Sequence, residues 1–138
     1  MSNLDNIKFC TQNVRGLRNY PKRRELFAFF HRQSYDIIFI QESHSLPDDE
    51  SRWNNEWGRQ IVFSHGSNSS RGVAVLFKPT FSCNCTKSFS DTGGRYVILN
   101  LTYCDIILTI VNVYGPNIDD PNFYDILSSN LQCFTCTM

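Results

Sequence analysis

Between Ile7 and Gln41 the hydrophobic period of the chain changes twice, and that limits the folds open to it. Ile7-Lys8-Phe9-Cys10-Thr11-Gln12-Asn13 alternates apolar and polar residues, the pattern of a strand with one buried face. Gly16 and the Asn19-Tyr20-Pro21 turn follow. Residues 22–33 then place Leu26, Phe27 and Phe30 at helical spacing, with charges opposite and Phe29 widening the stripe. Asp36-Ile37-Ile38-Phe39-Ile40-Gln41 is a continuous apolar run, as expected of a strand covered on both faces. Strand, helix and strand in so short a span predict a βαβ unit with parallel strands and their C-terminal ends on one edge. Asn13 and Glu42 leave the sheet at that edge, where open α/β sheets carry their chemistry.

The second part reads differently. A short helix is expected over Ser51 to Trp57, and strands over 60–64, 72–78, 81–89, 95–103 and 106–114. Their close spacing predicts antiparallel hairpins. Leu108, Ile110, Asn112 and Tyr114 fall on one face of the last strand. Asp119-Asp120-Pro121 has the form of a helix start, a carboxylate cap with proline in the first turn. Tyr124, Ile126 and Leu127 then begin a face expected to turn inward. Ser128-Ser129-Asn130 weakens that helical pattern, and residues 133–138 have neither strand alternation nor a cap. No internal repeat or low-complexity tract is present.

At 138 residues, 41% hydrophobic and 19% charged, the chain is sized for one domain with a real core. Thirteen cations balance thirteen acids, so net charge gives no support for a nucleic-acid partner. The distribution says more. Arg15, Arg18, Lys22, Arg23 and Arg24 fall within ten residues that hold no acid: either a solvated helix start or a phosphate-facing rim. Pro21-Lys22-Arg23-Arg24 also has the look of a short nuclear-import signal. No run approaches the ~18 apolar residues of a membrane span, and Met1 to Phe9 has no signal-peptide core. The six cysteines are therefore expected as free thiols in a reducing compartment, and the three Asn-x-Ser/Thr sequons (at Asn68, Asn84 and Asn100) as chance. Cys133 and Cys136 have zinc-knuckle spacing but no matching second pair, so structural zinc is not expected.

Three motifs in order carry a resemblance. They are Thr11-Gln12-Asn13-Val14-Arg15-Gly16-Leu17, Ile40-Gln41-Glu42-Ser43-His44 and Val111-Asn112-Val113-Tyr114-Gly115-Pro116-Asn117. They resemble the first half of the endonuclease/exonuclease/phosphatase superfamily, in wording nearest the apurinic-type endonuclease of non-LTR (LINE-type) retrotransposons. Arg71-Gly72-Val73-Ala74-Val75-Leu76-Phe77 is similar to a core strand of the same family. The resemblance covers residues 7–127 and leaves 128–138 as a divergent tail.

It implies an α/β fold, a four-layer sandwich of two mixed β-sheets flanked by helices, present as one C-terminally truncated domain over 1–138. It implies cleavage of a DNA phosphodiester with Mg²⁺ (or Mn²⁺), in the nucleus if the parent is a retroelement whose next domain is a reverse transcriptase. Glu42 then matches the metal ligand, Asn13 its catalytic partner, and Tyr114 the phenol that hydrogen-bonds the scissile phosphate. Asn112 and Asn117 would line the cleft, and Arg15 and His44 would reach the backbone of the substrate. Taken singly these residues say little: an Asn at a strand end is usually a turn former, and a lone Tyr a half-buried core aromatic.

The departures matter as much. The family's later Gly-Asp-x-Asn motif and its final Asp-His pair do not occur here, so no residue takes the general-base role by position. His31 lies in the expected helix, and His65 lacks an acid before it in sequence. The expectation is a fragment inactive on its own, with the missing motifs encoded downstream of Met138. Two other readings stay open: a phosphatase of the same superfamily acting on inositol phosphates or sphingolipids, and a non-catalytic remnant or interaction module.

Overall fold

The computed structural model describes residues 6–116 and 119–135, and contains two sheets between two helical layers. The first sheet follows from the βαβ unit. Strand β1 (Phe9–Asn13) pairs in parallel with β2 (Ile37–Gln41), in a register that sets Asn13 beside Gln41. Helix α1 (Tyr20–Gln33) crosses between them. It starts where the Asn19 side chain accepts from the Lys22 backbone N–H at 2.9 Å, and it stops at Ser34, whose φ of 58° is left-handed.

A 3₁₀ turn (Pro47–Asp49) leads into α2 (Glu50–Trp57). Strand β3 (Val62–Ser64) and β4 (Val73–Phe77) are antiparallel, and β4 lies beside β2, giving the order β1-β2-β4-β3. The second sheet is an antiparallel meander of β5 (Asn84–Ser90), β6 (Tyr96–Tyr103) and β7 (Ile106–Val113). Helix α3 (Pro121–Thr135) covers its outer face.

Side-chain alternation divides the core into three layers. Ile38, Ile40, Ala74 and Leu76 face Phe27, Phe30, Trp53 and Trp57 of the helices. Ile37, Val73, Val75 and Phe77 face Val97, Leu99 and Leu101 of the second sheet. Tyr96 and Ile98 face Phe123 and Phe134 of α3. The expected four-layer order is present, and β2 is covered on both faces.

Three expectations change. The hairpin pattern does not run unbroken: β4 and β5 lie in opposite sheets. The Arg59 guanidinium holds the crossing segment, donating to the carbonyls of Lys78 (2.9 Å), Phe81 (2.5 Å) and Cys83 (3.3 Å). Helix α3 does begin with an Asp120 cap, its carboxylate accepting from the Phe123 N–H at 3.3 Å. It runs straight through Ser128-Ser129-Asn130, however, because Asn130 finds a partner in the Tyr96 hydroxyl at 2.8 Å. Its inward stripe is Phe123, Leu127, Leu131 and Phe134, while Tyr124 and Ile126 are exposed. Charge is also redistributed. Arg23 is buried, donating to both oxygens of Glu56 (2.6 and 3.0 Å) and to the carbonyls of Leu17 and Arg18, with Trp53 below it. It belongs neither to a solvated face nor to a phosphate rim. Lys22 is tied to the carbonyls of Val14 and Arg15, and Arg18 to Asp49 at 2.5 Å; Arg15 and Arg24 are exposed.

Cys10, Cys83, Cys85, Cys104 and Cys133 are free thiols; Cys136 lies outside the described residues. Burial raises the thiol pKa of Cys10 and Cys83 against smaller opposing effects of Tyr35 and Arg59. A raised folded value means less thiolate near neutrality, and the thiolate is the nucleophile. At pH 8, iodoacetamide is expected to label exposed Cys104 and Cys133 well before half-buried Cys10 and Cys83. The stability linked to the two raised thiols is full below their ordinary pKa and declines as pH rises through the folded value. Peptide mapping that found Cys10 labelled first would contradict this packing.

Candidate active site

The parallel β1–β2 register brings two loops to one edge of the first sheet, and backbone hydrogen bonds fasten them there. Val14, Gly16 and Leu17 donate to the carbonyls of Gln41, Glu42 and Ser43 at 2.9, 2.6 and 3.0 Å. The loop before β4 joins the same edge, since Ser43 donates to Gly72 O and His44 to Arg71 O, both at 2.9 Å. The second sheet closes the corner: Gly72 donates to Gly94 O at 2.9 Å and Tyr114 to Arg95 O at 2.7 Å.

This corner holds much of the left-handed backbone in the chain. Arg15, Glu42, His44 and Arg71 are non-glycine residues with φ between 52° and 59°. Each such residue is strained by roughly 1 kcal/mol or more, and strain of this kind collects where surrounding contacts over-determine a functional geometry. Two glycines let the loops approach so closely. A Cβ at Gly16 would stand 2.7 Å from His44 Nδ1, and one at Gly72 would stand 2.4 Å from Ser43 Oγ.

Within the corner, Asn13 donates its amide N–H to the Glu42 carboxylate, while its Oδ1 accepts from the Arg15 N–H at 3.1 Å. That Asx turn fixes which way the amide faces. His44 Nε2 lies 3.9 Å from Glu42 Oε1; it is buried and makes no hydrogen bond to protein. Tyr114 is half-buried directly after β7, at the same end of the sandwich. Arg15 and Asn13 also line an open depression of about 600 Å³ with Lys22, Glu25 and Arg32 of α1.

Asn112 departs from its expected place among the substrate contacts. It is buried, and its Nδ2 donates to the carbonyls of Ile40 and Ala74, both at 2.9 Å. Its Oδ1 accepts from Gln41 Nε2 at 2.9 Å, and Gln41 reaches on to Thr11 at 3.0 Å. Its polar atoms thus join β7 to β1, β2 and β4 instead of facing solvent. Asn117 lies outside the described residues. Among those that are described, no group of three or more His, Cys, Asp or Glu side chains converges as a metal cage. A polar chain that sequence reasoning missed links Ser43, Ser45, His65 and Glu50; only the meeting of three segments in space brings it together.

A family model described as the Endonuclease/Exonuclease/phosphatase family matches residues 10–134. The chain belongs to that family. Among relatives, it is 28% identical over 128 residues to a transposon TX1 uncharacterized 149 kDa protein of Xenopus laevis, covering 91% of this chain and 10% of that protein. Its fold is similar to the AP endonuclease LMAP of Leishmania major, with a TM-score of 0.64 at 22% identity over 86% of this chain and 43% of that one. It is also similar to D. rerio TDP2 in complex with a single-strand DNA product (TM-score 0.58, 15% identity, 94% and 54% covered). An AP endonuclease from Archaeoglobus fulgidus gives 0.55 at 22% identity, with 88% and 47% covered. The chain thus spans about half the length of these solved structures and a tenth of the transposon protein.

Proposed function

We propose that this chain carries the first half of a divalent-metal phosphodiesterase site acting on DNA, as part of a retroelement endonuclease, and that the 138-residue polypeptide alone does not turn over. The observation that carries the reading is the Asn13–Glu42 pair, held in strained backbone at the shared strand edge with Tyr114 at the same end. The DNA-acting names of the AP endonuclease and TDP2 neighbours and the transposon relative support the substrate class.

The donor set fits a hard cation. Mg²⁺ takes oxygen ligands at nearly octahedral geometry and commonly keeps several waters beside one or two carboxylates. Glu42 supplies the carboxylate, and Asn13 orients it through its amide N–H. When bound, such an ion supplies charge stabilisation to the phosphoryl oxygens and a more acidic water. Tyr114 donates its hydroxyl to a phosphate oxygen, and Arg15 and His44 contact the nucleic-acid backbone. The His44 side chain is partly exposed, and its buried Nε2 makes no hydrogen bond within the protein. Nothing among the described residues stands as a general base, a group that contributes ~10²–10⁴-fold. The rest of the site, and a following reverse transcriptase, belong on this reading to a longer parent.

Calorimetric titration with Mn²⁺ tests the metal. The wild type is expected to bind weakly, and Glu42→Ala at least about tenfold more weakly still, a difference of about 1.4 kcal/mol. Equal binding by both proteins would remove Glu42 from the site. With supercoiled plasmid and Mg²⁺, no nicking above buffer is expected. Metal-dependent nicking that vanished in Asn13→Ala would overturn the claim of inactivity, and turnover of phosphoinositides instead of plasmid would favour a phosphatase.

A further inference from the structure

The loop that carries Glu42 alternates in its exposure. Ser43 and Ser45 are fully buried, while Glu42 and His44, both left-handed, alternate with them and have partly exposed side chains. In such an alternation, whatever fixes the inward residues also aims the outward ones. The inward residues end in a hydrogen-bonded chain. Ser43 Oγ lies 3.0 Å from Ser45 Oγ, Ser45 Oγ lies 2.9 Å from His65 Nδ1, and His65 Nε2 lies 2.5 Å from Glu50 Oε2. A carboxylate can only accept, so Nε2–H donates to Glu50; in a neutral ring Nδ1 then accepts from the Ser45 hydroxyl. The imidazole also stacks on Phe63, centroid to centroid at 4.9 Å, which fixes the plane from which both nitrogens reach.

Acid, histidine and serine in this order resemble a nucleophilic triad, but the geometry argues otherwise. The Ser45 hydroxyl is fully buried and faces a second serine, so no substrate carbonyl or phosphate reaches it. The chain connects the first residue of α2 and the residue just after β3 to the Glu42 loop.

We infer that His65 is a positioning residue: bridging Glu50 to Ser45, it locks the inward half of the 42–45 loop and so holds Glu42 and His44 in their left-handed conformation. The link to metal rests on the reading of Glu42 given above; the link to loop order does not.

The test uses amide hydrogen exchange by NMR on the full chain, with Ser43 and His44 as reporters, because their N–H groups donate across to Gly72 and Arg71. His65→Leu and Ser45→Ala are expected to speed exchange at both amides by about tenfold or more, beyond any change at Val97 and Leu99 in β6. His65→Asn, which keeps a polar atom within reach of Ser45, is expected to restore most of the protection. Mn²⁺ affinity should fall with the same rank order. Unchanged exchange at Ser43 and His44, or a rise matched in β6, would overturn the proposal, the second because it reports only general destabilisation. If Glu42→Ala abolishes Mn²⁺ binding while His65→Leu loosens the loop without weakening it, the positioning role falls. If Glu42→Ala binds Mn²⁺ as well as wild type, the metal reading fails and the exchange data still decide the anchor.

Discussion

Replacing Arg23 with methionine will lower the melting temperature by roughly 10 °C, and adding Glu56→Leu will return most of that loss. The Arg23 side chain is 3% exposed and Glu56 24%. Removing one member of a buried ion pair costs about 3–5 kcal/mol, because the other charge remains desolvated without a partner. Partial exposure of Glu56 lets water recover some of this, so the lower end applies, about 3 kcal/mol. The methionine keeps an apolar stem over Trp53 but cannot donate to the carbonyls of Leu17 and Arg18, which adds to the loss. The double variant removes the stranded carboxylate and leaves two apolar side chains between α1 and α2, so its melting point should approach wild type. The pair of thermal melts is the measurement. A single variant as stable as wild type would show that Arg23 is solvated after all and available to a phosphate. A double variant no better than the single would show that the guanidinium's bonds to Leu17 and Arg18, not the charge pair, hold this corner.

Asn112→Leu is the second large effect. Leucine is close to asparagine in size, so the change tests hydrogen bonding more than volume. It removes two donations, to Ile40 O and Ala74 O, and takes from the Gln41 amide one of its acceptors, leaving it Thr11. Each hydrogen bond lost costs about 1 kcal/mol net, so the three together give a total near ~3 kcal/mol. A substrate contact would behave otherwise, with stability unchanged and only ligand binding altered. Chemical denaturation separates the two: a midpoint unchanged by the substitution would put Asn112 back among the candidate contacts. The expected loss would also loosen the spacing between Glu42 on the first sheet and Tyr114 on the second, since Asn112 is a polar tie between those sheets just behind both.

Much of the candidate site was legible in the chain because it is built from local pattern. Alternation over 7–13 and the apolar run over 36–41 fixed two strands, and the helical stripe between them made the strands parallel. Parallel strands end at the same edge, so Asn13 and Glu42 had to emerge together. The second-sheet strands and the Asp120 cap of α3 were readable for similar reasons.

What the sequence by itself determined, then, is the order and type of the elements, and with them the edge to which the motif residues are delivered. These depend on residues within a few positions of one another, and hydrophobic period and capping chemistry report such contacts directly. Only the tertiary structure decided the rest, because the choice lies between partners distant in sequence. A cluster of five cations looks uniform until Glu56, 33 residues on, takes Arg23 into the core. Asn112 reads as the polar end of an apolar row, free to line a cleft, until the carbonyls of Ile40 and Ala74, 72 and 38 residues back, claim its amide. Helix α3 turns Phe123 and Leu131 inward and leaves Tyr124 out, because the face of β6 and β7 it meets sets the helix rotation, which a short apolar run cannot. His65, with no acid beside it in sequence, acquires Glu50 and Ser45 only when three segments meet at one corner.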